Sequence, residues 1–481
     1  MDARYSSAIS HWLETILFER FGHRYAISQD RGFIRLALAG SPVTIRIVAD
    51  PTTFTQARSD LPCSRWEGAA EGWRLPLEQS LPTPGMARLP VPLIEKDDEG
   101  YTIGYDIMGL TYWMLSRQEE VGRTDLDKHG RFEAKSSHAY RHAYLTRPLV
   151  DEWLHVLGQI ISRLWPNLPL PQHRFSVRVS HDVDRASRYG SSSMGRLLRS
   201  MLGDVLRRRQ FRRAVKAPLI WRQSVDRLHA DDPANTFDWI MDVSERHGLT
   251  SAFYFICGRT DPSRDAEYDP EDPAIRDLMR RIHARGHEIG LHPSYNTFRD
   301  PKAIVSEAMR LKRICQEENI EQDTWGGRMH YLRWSHPITL HGWEQAGMAY
   351  DSSLCYADSP GFRCGTCFEY PAFDPVADKV LNLRIRPLIV MECTVTQYMK
   401  LGWGDAAFGE FMQLANACRA VRGTFTLLWH NTLLERRNER ALYTSLLSRT
   451  SDSRGPFSDA CIAARTNVLS RPAGSSKALF Q

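Results

Sequence analysis

Three ligand-type side chains crowd the end of one apolar run: His181, Asp182 and Asp184, in "FSVRVSHDVD". The preceding Phe175, Val177 and Val179 alternate with polar residues, the period of a half-buried strand. That period puts Asp182 and Asp184 on one side of the strand and His181 on the other. Two carboxylates this close are both ionised comfortably only beside a cation. One Asp on a divalent metal and the other handling protons satisfies that condition. Three later segments end in related chemistry: "GHEIGLH" in His292, "GGRMHY" with Arg328 and His330, and "GTFTLLWH" in His430. His287 and His292 are five apart, on opposite faces of a regular strand, so His292 at the strand end is the better ligand and His287 the structural one.

The elements that must position these groups follow a pattern. From residue 174, short apolar runs ("FSVRVS", "SAFYFICG", "HEIGLH", "TWGGRMHY", "VLNLRIRPLIV", "GTFTLLWH") alternate with amphipathic helical stretches such as "TFDWIMDVSERHG" and "PAIRDLMRRIHARG". Such alternation predicts parallel strands with crossover helices, in an open α/β sheet or a β/α barrel. In both, the C-terminal strand ends share one face, so residues more than 200 positions apart can meet in one pocket. Residues 1–170 read as a smaller mixed α+β domain: an opening helix, the strands "FIRLALAG" and "VTIRIVAD", a Pro-rich loop or edge segment, and two further helices. The Pro-containing "PNLPLPQHR" is the natural boundary, followed by a second domain over 174–449. Residues 450–481, Ser-, Arg- and Gly-rich without periodicity, read as a disordered tail.

The order and spacing of these motifs over roughly 174–445 resemble the metal-dependent polysaccharide deacetylases and their relatives acting on amide bonds. "SHDVD" matches their paired-Asp motif, "GHEIGLH" the stretch leading to a metal-binding His, "GGRMHYLRW" the Arg-bearing motif, and "LLWHN" the last His motif. The segments "YDIMGLTYWMLSRQEE" and "YDSSLCYADSPGFRCGTCFEYP" further resemble a branch associated with bacterial surface-polysaccharide synthesis. The resemblance implies a distorted β/α barrel, complete or incomplete, and a zinc-type divalent cofactor. It implies hydrolytic removal of an acetyl group from an N-acylated sugar or glycan precursor. Asp182 falls on the catalytic base, Asp184 and His292 on metal ligands and His430 on the catalytic acid, while Arg328 or Arg333 falls on the arginine that orients the base. The sequence departs from the family at position 296, where Asn296 stands in place of a second His ligand. An amide oxygen suits zinc less well than imidazole; His181 or His330 are the alternatives for the missing nitrogen. Two other readings remain: a non-catalytic glycan-binding or scaffold protein on the same fold, and a hydrolase of small cyclic amides.

Of the aromatics near the motifs, most read as core or pocket wall; Tyr295, Tyr331 and Trp334 are the candidates for stacking on a sugar ring. The 481-residue chain carries 62 basic and 57 acidic residues, a formal +5 that demands no nucleic acid. Neither a Walker A sequence nor a GxSxG elbow is present, so phosphoryl transfer and serine hydrolysis lack support. The opening segment is an interrupted amphipathic helix rather than a signal peptide, no apolar run reaches membrane-spanning length, and the nine cysteines are scattered. A cytoplasmic protein with reduced thiols is expected. Cys364 and Cys367 form a lone CxxC, read as a loop with two thiols before a zinc or redox pair. The insertion at about 195–224 is basic and amphipathic: residues 195–216 hold eight basic residues against one acid. It suits the anionic inner face of a membrane or a phosphorylated substrate, or is a solvated cover over the barrel mouth.

Overall fold

The computed structural model describes residues 4–190 and 194–451, so the tail expected over 450–481 lies, but for its first two residues, outside the described residues. The opening helix, Ser7–Phe21, starts where the Ser6 side chain accepts from the Ile9 N–H and stops at Gly22, whose φ of 71° ends the helical path. It buries Ile9, Trp12, Leu13, Ile16 and Leu17, the periodic residues. Seven strands follow: β1 (Tyr25–Asp30), β2 (Phe33–Leu38), β3 (Thr44–Val48), β4 (Cys63–Trp66), β5 (Leu81–Pro84), β6 (Ile94–Asp97) and β7 (Gly100–Ile103). Five form a sheet in the order β1-β2-β3-β7-β6, and β4 pairs with β5, which comes from the Pro-rich segment. Helices Ile107–Leu115 and Leu149–Leu164 complete this part. The first is shorter than the sequence pattern suggests, because Arg117 turns the chain left-handed at φ 55°.

The second part contains β8 (Ser176–Val183), β9 (Ser251–Phe255), β10 (Glu288–Leu291), β11 (Gly326–Gly327), β12 (Tyr350–Asp351), β13 (Tyr370–Asp374), β14 (Lys379–Ile385), β15 (Val390–Met391) and β16 (Thr424–Leu428). They form one sheet in the order β13-β14-β12-β11-β10-β9-β8-β16-β15, parallel throughout except for the β13–β14 pair. Among the described residues β13 and β15 do not pair, so hydrogen bonding does not close the sheet into a barrel. All five residues of β9 are buried, as expected of a central parallel strand covered on both faces. The run "VLNLRIRPLIV", read as one strand, is two. Pro387 interrupts it; β14 joins β12, and β15 crosses to β16 near the opposite edge.

The two-residue strand β11 depends on its glycines. A Cβ on Gly327 would lie 1.9 Å from the Leu291 carbonyl oxygen, and one on Gly326 would meet the Tyr350 ring at 2.2 Å. This close approach seats Arg328 and His330 beside the end of β10. Gly327→Ala is expected to destabilise the chain by about 1–3 kcal/mol, the usual cost of overpacking. Chemical denaturation of the full chain measures it, and an unchanged midpoint would show that the strand has room to shift.

One continuous hydrophobic core includes residues from both parts. Trp12 Nε1 donates to the Pro371 carbonyl at 2.9 Å. Arg363 Nη2 and Arg117 reach Glu120 at 2.6 and 2.9 Å, all three buried. Cys364 and Cys367 are buried here too, their thiols pushed up by burial, with Cys367 Sγ 3.4 Å from Asp151. They line a packed seam.

Candidate active site

The end of β8 divides its side chains as alternation requires. Ser180 and Asp182 face one way, and both meet Arg328: Nη1 donates to Asp182 Oδ1 at 2.8 Å and Nη2 to Ser180 Oγ at 2.9 Å. Arg328 also donates to the carbonyl and hydroxyl of Ser352, so a fully buried guanidinium has its fork fixed from several sides. His181 points to the other face, stacked on Phe253, with Nδ1 bound to the Trp429 carbonyl at 2.7 Å. Burial pushes its pKa down to about 3.

Three imidazoles converge on Asp184. His292 Nε2 lies 3.3 Å from Asp184 Oδ1, His330 Nε2 3.5 Å from the same oxygen, and His430 Nε2 3.5 Å from Oδ2. Each ring is held from behind through Nδ1: His292 by the Arg328 carbonyl at 2.6 Å, His330 by Asp265 at 3.1 Å, His430 by Glu392 at 2.6 Å. With Nδ1–H committed to an acceptor, the Nε2 lone pairs of His292 and His330 face the carboxylate, whereas a protonated His430 turns an N–H toward it. Acceptor then faces acceptor, an arrangement that needs a proton or a cation between them. Asp184 Oδ1 is buried and has no hydrogen bond of good geometry to a donor. Burial alone would raise the Asp184 pKa; His330, His292 and His430 instead hold it well below the usual carboxylate range. His292 is raised despite burial, by Asp182 first and then Asp184.

The ligand atoms of Asp184, His292 and His330 all lie within 4.8 Å of one another. Two imidazoles and one carboxylate with an open side suit zinc or a similar divalent ion, so the residues present fit the group that the resemblance implies. Glu392, Cys393 and His430 are similarly clustered, but the direct 2.6 Å contact between Glu392 and His430 leaves no room for an ion between those two. His430 has a different setting: burial lowers its pKa, while Glu392 and then Cys393 raise it, with a net rise well above the ordinary value. Glu392 thus favours its protonated form.

Asp182, Asp184, His292, His330 and His430 line one pocket of about 190 Å³, together with Arg131, Tyr331, Leu332, Met391, Cys393, Gln397 and Tyr398. That is less than the roughly 300 Å³ at which whole drug-sized ligands begin to fit. Several expectations are corrected. Asn296 is not among the converging groups: its side chain is exposed, donates to the Thr260 carbonyl at 3.1 Å and accepts from Arg333 at 3.2 Å. His181 does not join the group, since it lies across the sheet; His330 does, its Nε2 3.5 Å from Asp184 Oδ1. Arg333 does not reach Asp182. It donates to the His129 and Tyr295 carbonyls and stacks between Tyr295 and Phe298. Tyr295 and Trp334 are buried outside the pocket wall, Tyr295 with its hydroxyl on His129, and only Tyr331 of the three aromatics lines it.

Sequence reasoning missed Glu392, Asp265 and Arg131. Glu392 carried a usable signal, a carboxylate closing the apolar run "PLIVME". Asp265 and Arg131 sit in loops without any periodic mark.

His287 is buried, accepts from the Ser251 N–H at 3.1 Å and faces away from the pocket. His287→Ala is expected to lower the unfolding midpoint and leave metal stoichiometry near that of the parent; His292→Ala should do the reverse. Thermal unfolding and elemental analysis of both variants check this, and an interchange of the two phenotypes would refute it.

Residues 2–166 match the model of a family of unknown function, DUF7033. No curated protein matches the chain. The solved structures similar to it include polysaccharide deacetylases. One is a putative polysaccharide deacetylase from Mycobacterium smegmatis, at 16% identity and TM-score 0.37, covering 64% of this chain and 96% of that one. Another is a probable polysaccharide deacetylase from Pseudomonas aeruginosa PAO1, at 15% identity and TM-score 0.33, covering 58% and 88%. Puue allantoinase is also similar, at 11% identity and TM-score 0.36, covering 59% and 89%. At these scores the likeness carries no argument about chemistry, which rests on the site itself. No described helix is long and apolar enough to cross a membrane.

Proposed function

We propose that the chain is a metal-dependent hydrolase that removes an acyl group from an N-acylated sugar. The observation that supports this best is the placing of two differently held groups around one ligand set: Asp182 gripped by Arg328, and His430 hydrogen-bonded to Glu392, with Asp184, His292 and His330 between. A divalent ion on those three residues would polarise the acyl carbonyl and acidify the attacking water. Asp182 takes that water's proton as its oxygen bonds to the acyl carbon. His430 Nε2 gives its proton to the amine nitrogen as the C–N bond breaks, so a carboxylic acid and a free amine leave. Arg328 orients Asp182, and Glu392 orients His430. A purely glycan-binding role has no use for this acid and base pair. The choice of an N-acyl sugar over a small cyclic amide follows the motif resemblance.

The test is acetate release from N-acetylhexosamine oligomers and nucleotide-linked N-acetyl sugars by the full chain, after removal of metal and after reloading with zinc or cobalt. Release that requires the metal is expected; none from any N-acyl sugar with the loaded chain would overturn the reading.

A further inference from the structure

Helices Met194–Leu206 and Phe211–Gln223 fold against each other through a small core of Tyr189, Leu197, Ala217 and Ile220. Their outer sides are apolar as well. Met194, Leu198, Leu202 and Leu206 follow one another at four-residue steps, as do Phe211, Val215 and Leu219, and every one is more than half exposed. Four-residue steps keep side chains on one helix face. With Val225, this short stretch holds eight of the eighteen exposed large hydrophobics among the described residues. An ordinary surface helix turns polar residues outward, and clustered apolar exposure marks an interaction site.

Around the stripes lies positive charge. Residues 194–223 hold nine basic residues and one acid, Asp204, which is buried and paired with Arg208 at 2.7 Å. Arg213 pairs with Glu435, Lys216 with Asp231 and Arg196 with Glu267. Arg199, Arg207, Arg209, Arg212 and Arg222 are exposed and have no acidic partner among the described residues.

We propose that this hairpin lays its outer face on an anionic lipid bilayer, with the Leu, Phe and Val rows in the acyl boundary and the arginines among the head groups. The combination of apolar rows and flanking arginines is what an interfacial helix requires. A second copy is the poorer occupant, because two such faces would bring like charges together. A nucleic acid would neutralise the arginines and leave the apolar rows in water. The hairpin leaves the sheet just beyond Asp184, and Arg188 and Arg213 tie it to Glu435, five residues past His430. It therefore stands at the end of the sheet where the pocket opens. The docking does not depend on the hydrolase reading.

Co-sedimentation of the full chain with vesicles tests it. Binding to vesicles of equal parts phosphatidylglycerol and phosphatidylcholine is expected, at least tenfold tighter than to phosphatidylcholine alone and weakened by salt. Leu202→Glu with Val215→Glu, and separately Arg199→Glu with Arg212→Glu, should each lower it at least tenfold; all four side chains are exposed, so an unchanged unfolding midpoint is expected for both. Absence of binding, binding indifferent to lipid charge, or binding unchanged in both double variants would overturn the proposal. So would a concentration-dependent dimer abolished by Leu202→Glu with Val215→Glu in a chain that ignores vesicles.

Discussion

Asp184→Asn is expected to lose both metal and turnover, whereas Asp182→Asn should lose turnover alone. Asp184 is the carboxylate on which His292, His330 and His430 all converge, at 3.3, 3.5 and 3.5 Å. Replacing it with an amide removes the negative charge that balances a divalent ion, and leaves two imidazoles as the remaining ligands. The fall in affinity should exceed the roughly 10- to 100-fold that follows loss of a group merely supporting a ligand. Asp182 is placed differently. Arg328 holds it, and its other oxygen lies 3.7 Å from His292 Nε2. Asp182→Asn keeps the ligand set and removes the proton acceptor, so activity should fall by about 10²-fold or more, the range for general bases. Metal titration of the stripped chains, followed by acetate release, separates the two. If Asp182→Asn loses metal as Asp184→Asn does, the division of labour between the two carboxylates is wrong.

His430→Ala should retain metal and slow the departure of the amine, by about 10²-fold or more. A substrate whose leaving group departs without a proton should recover most of that loss; equal damage on both substrates would remove His430 from the acid role. The pH profile gives a second reading of the same group. Glu392, above all, lifts the His430 pKa well above the ordinary value of about 6.5. The active, protonated form is therefore full below 6.5 and is lost only as pH climbs through the raised value, which sets the alkaline limb of the rate. Glu392→Gln keeps the shape and removes the charge. Its alkaline limb should move to lower pH while metal content stays, and an unmoved limb would show that another group controls it.

The sequence made the end of each strand legible because apolar period-2 runs stop at the same kind of residue. Asp182, Asp184, His292, Arg328 and His430 were found that way, and the structure brings these five together. His330 is one of two substitutes, with His181, for the nitrogen missing at 296. It stands in a turn with no periodicity, and its orientation depends on Asp265, 65 residues earlier. Spacing alone could not choose between His330, His181 and Asn296, since the choice depends on which face of the sheet and which loop each side chain enters. Arg328 and Arg333 were equally indistinct: five residues apart in one motif, one enters the sheet end and the other turns outward to a loop. Strand order was the least legible, because β14 and β15 come from a single apolar run and part company at Pro387.

The wall of the pocket contains a residue from the far side of the Pro-containing boundary segment "PNLPLPQHR". Arg131 donates to the Tyr331 carbonyl at 3.0 Å, and Arg333 returns a bond to the His129 carbonyl at 2.7 Å. Between these two stitches Tyr331 and Leu332 stand at φ 61° and 55°, left-handed conformations that cost a non-glycine residue about 1–2 kcal/mol each. The turn that carries His330 is thus kept in an uphill shape by a loop encoded 200 residues upstream. Modular shuffling would break it: a chain cut at 171, or grafted onto another leading segment, would free the turn along with the wall. A change at Arg131 is therefore expected to reach 330–333 through the Tyr331 carbonyl.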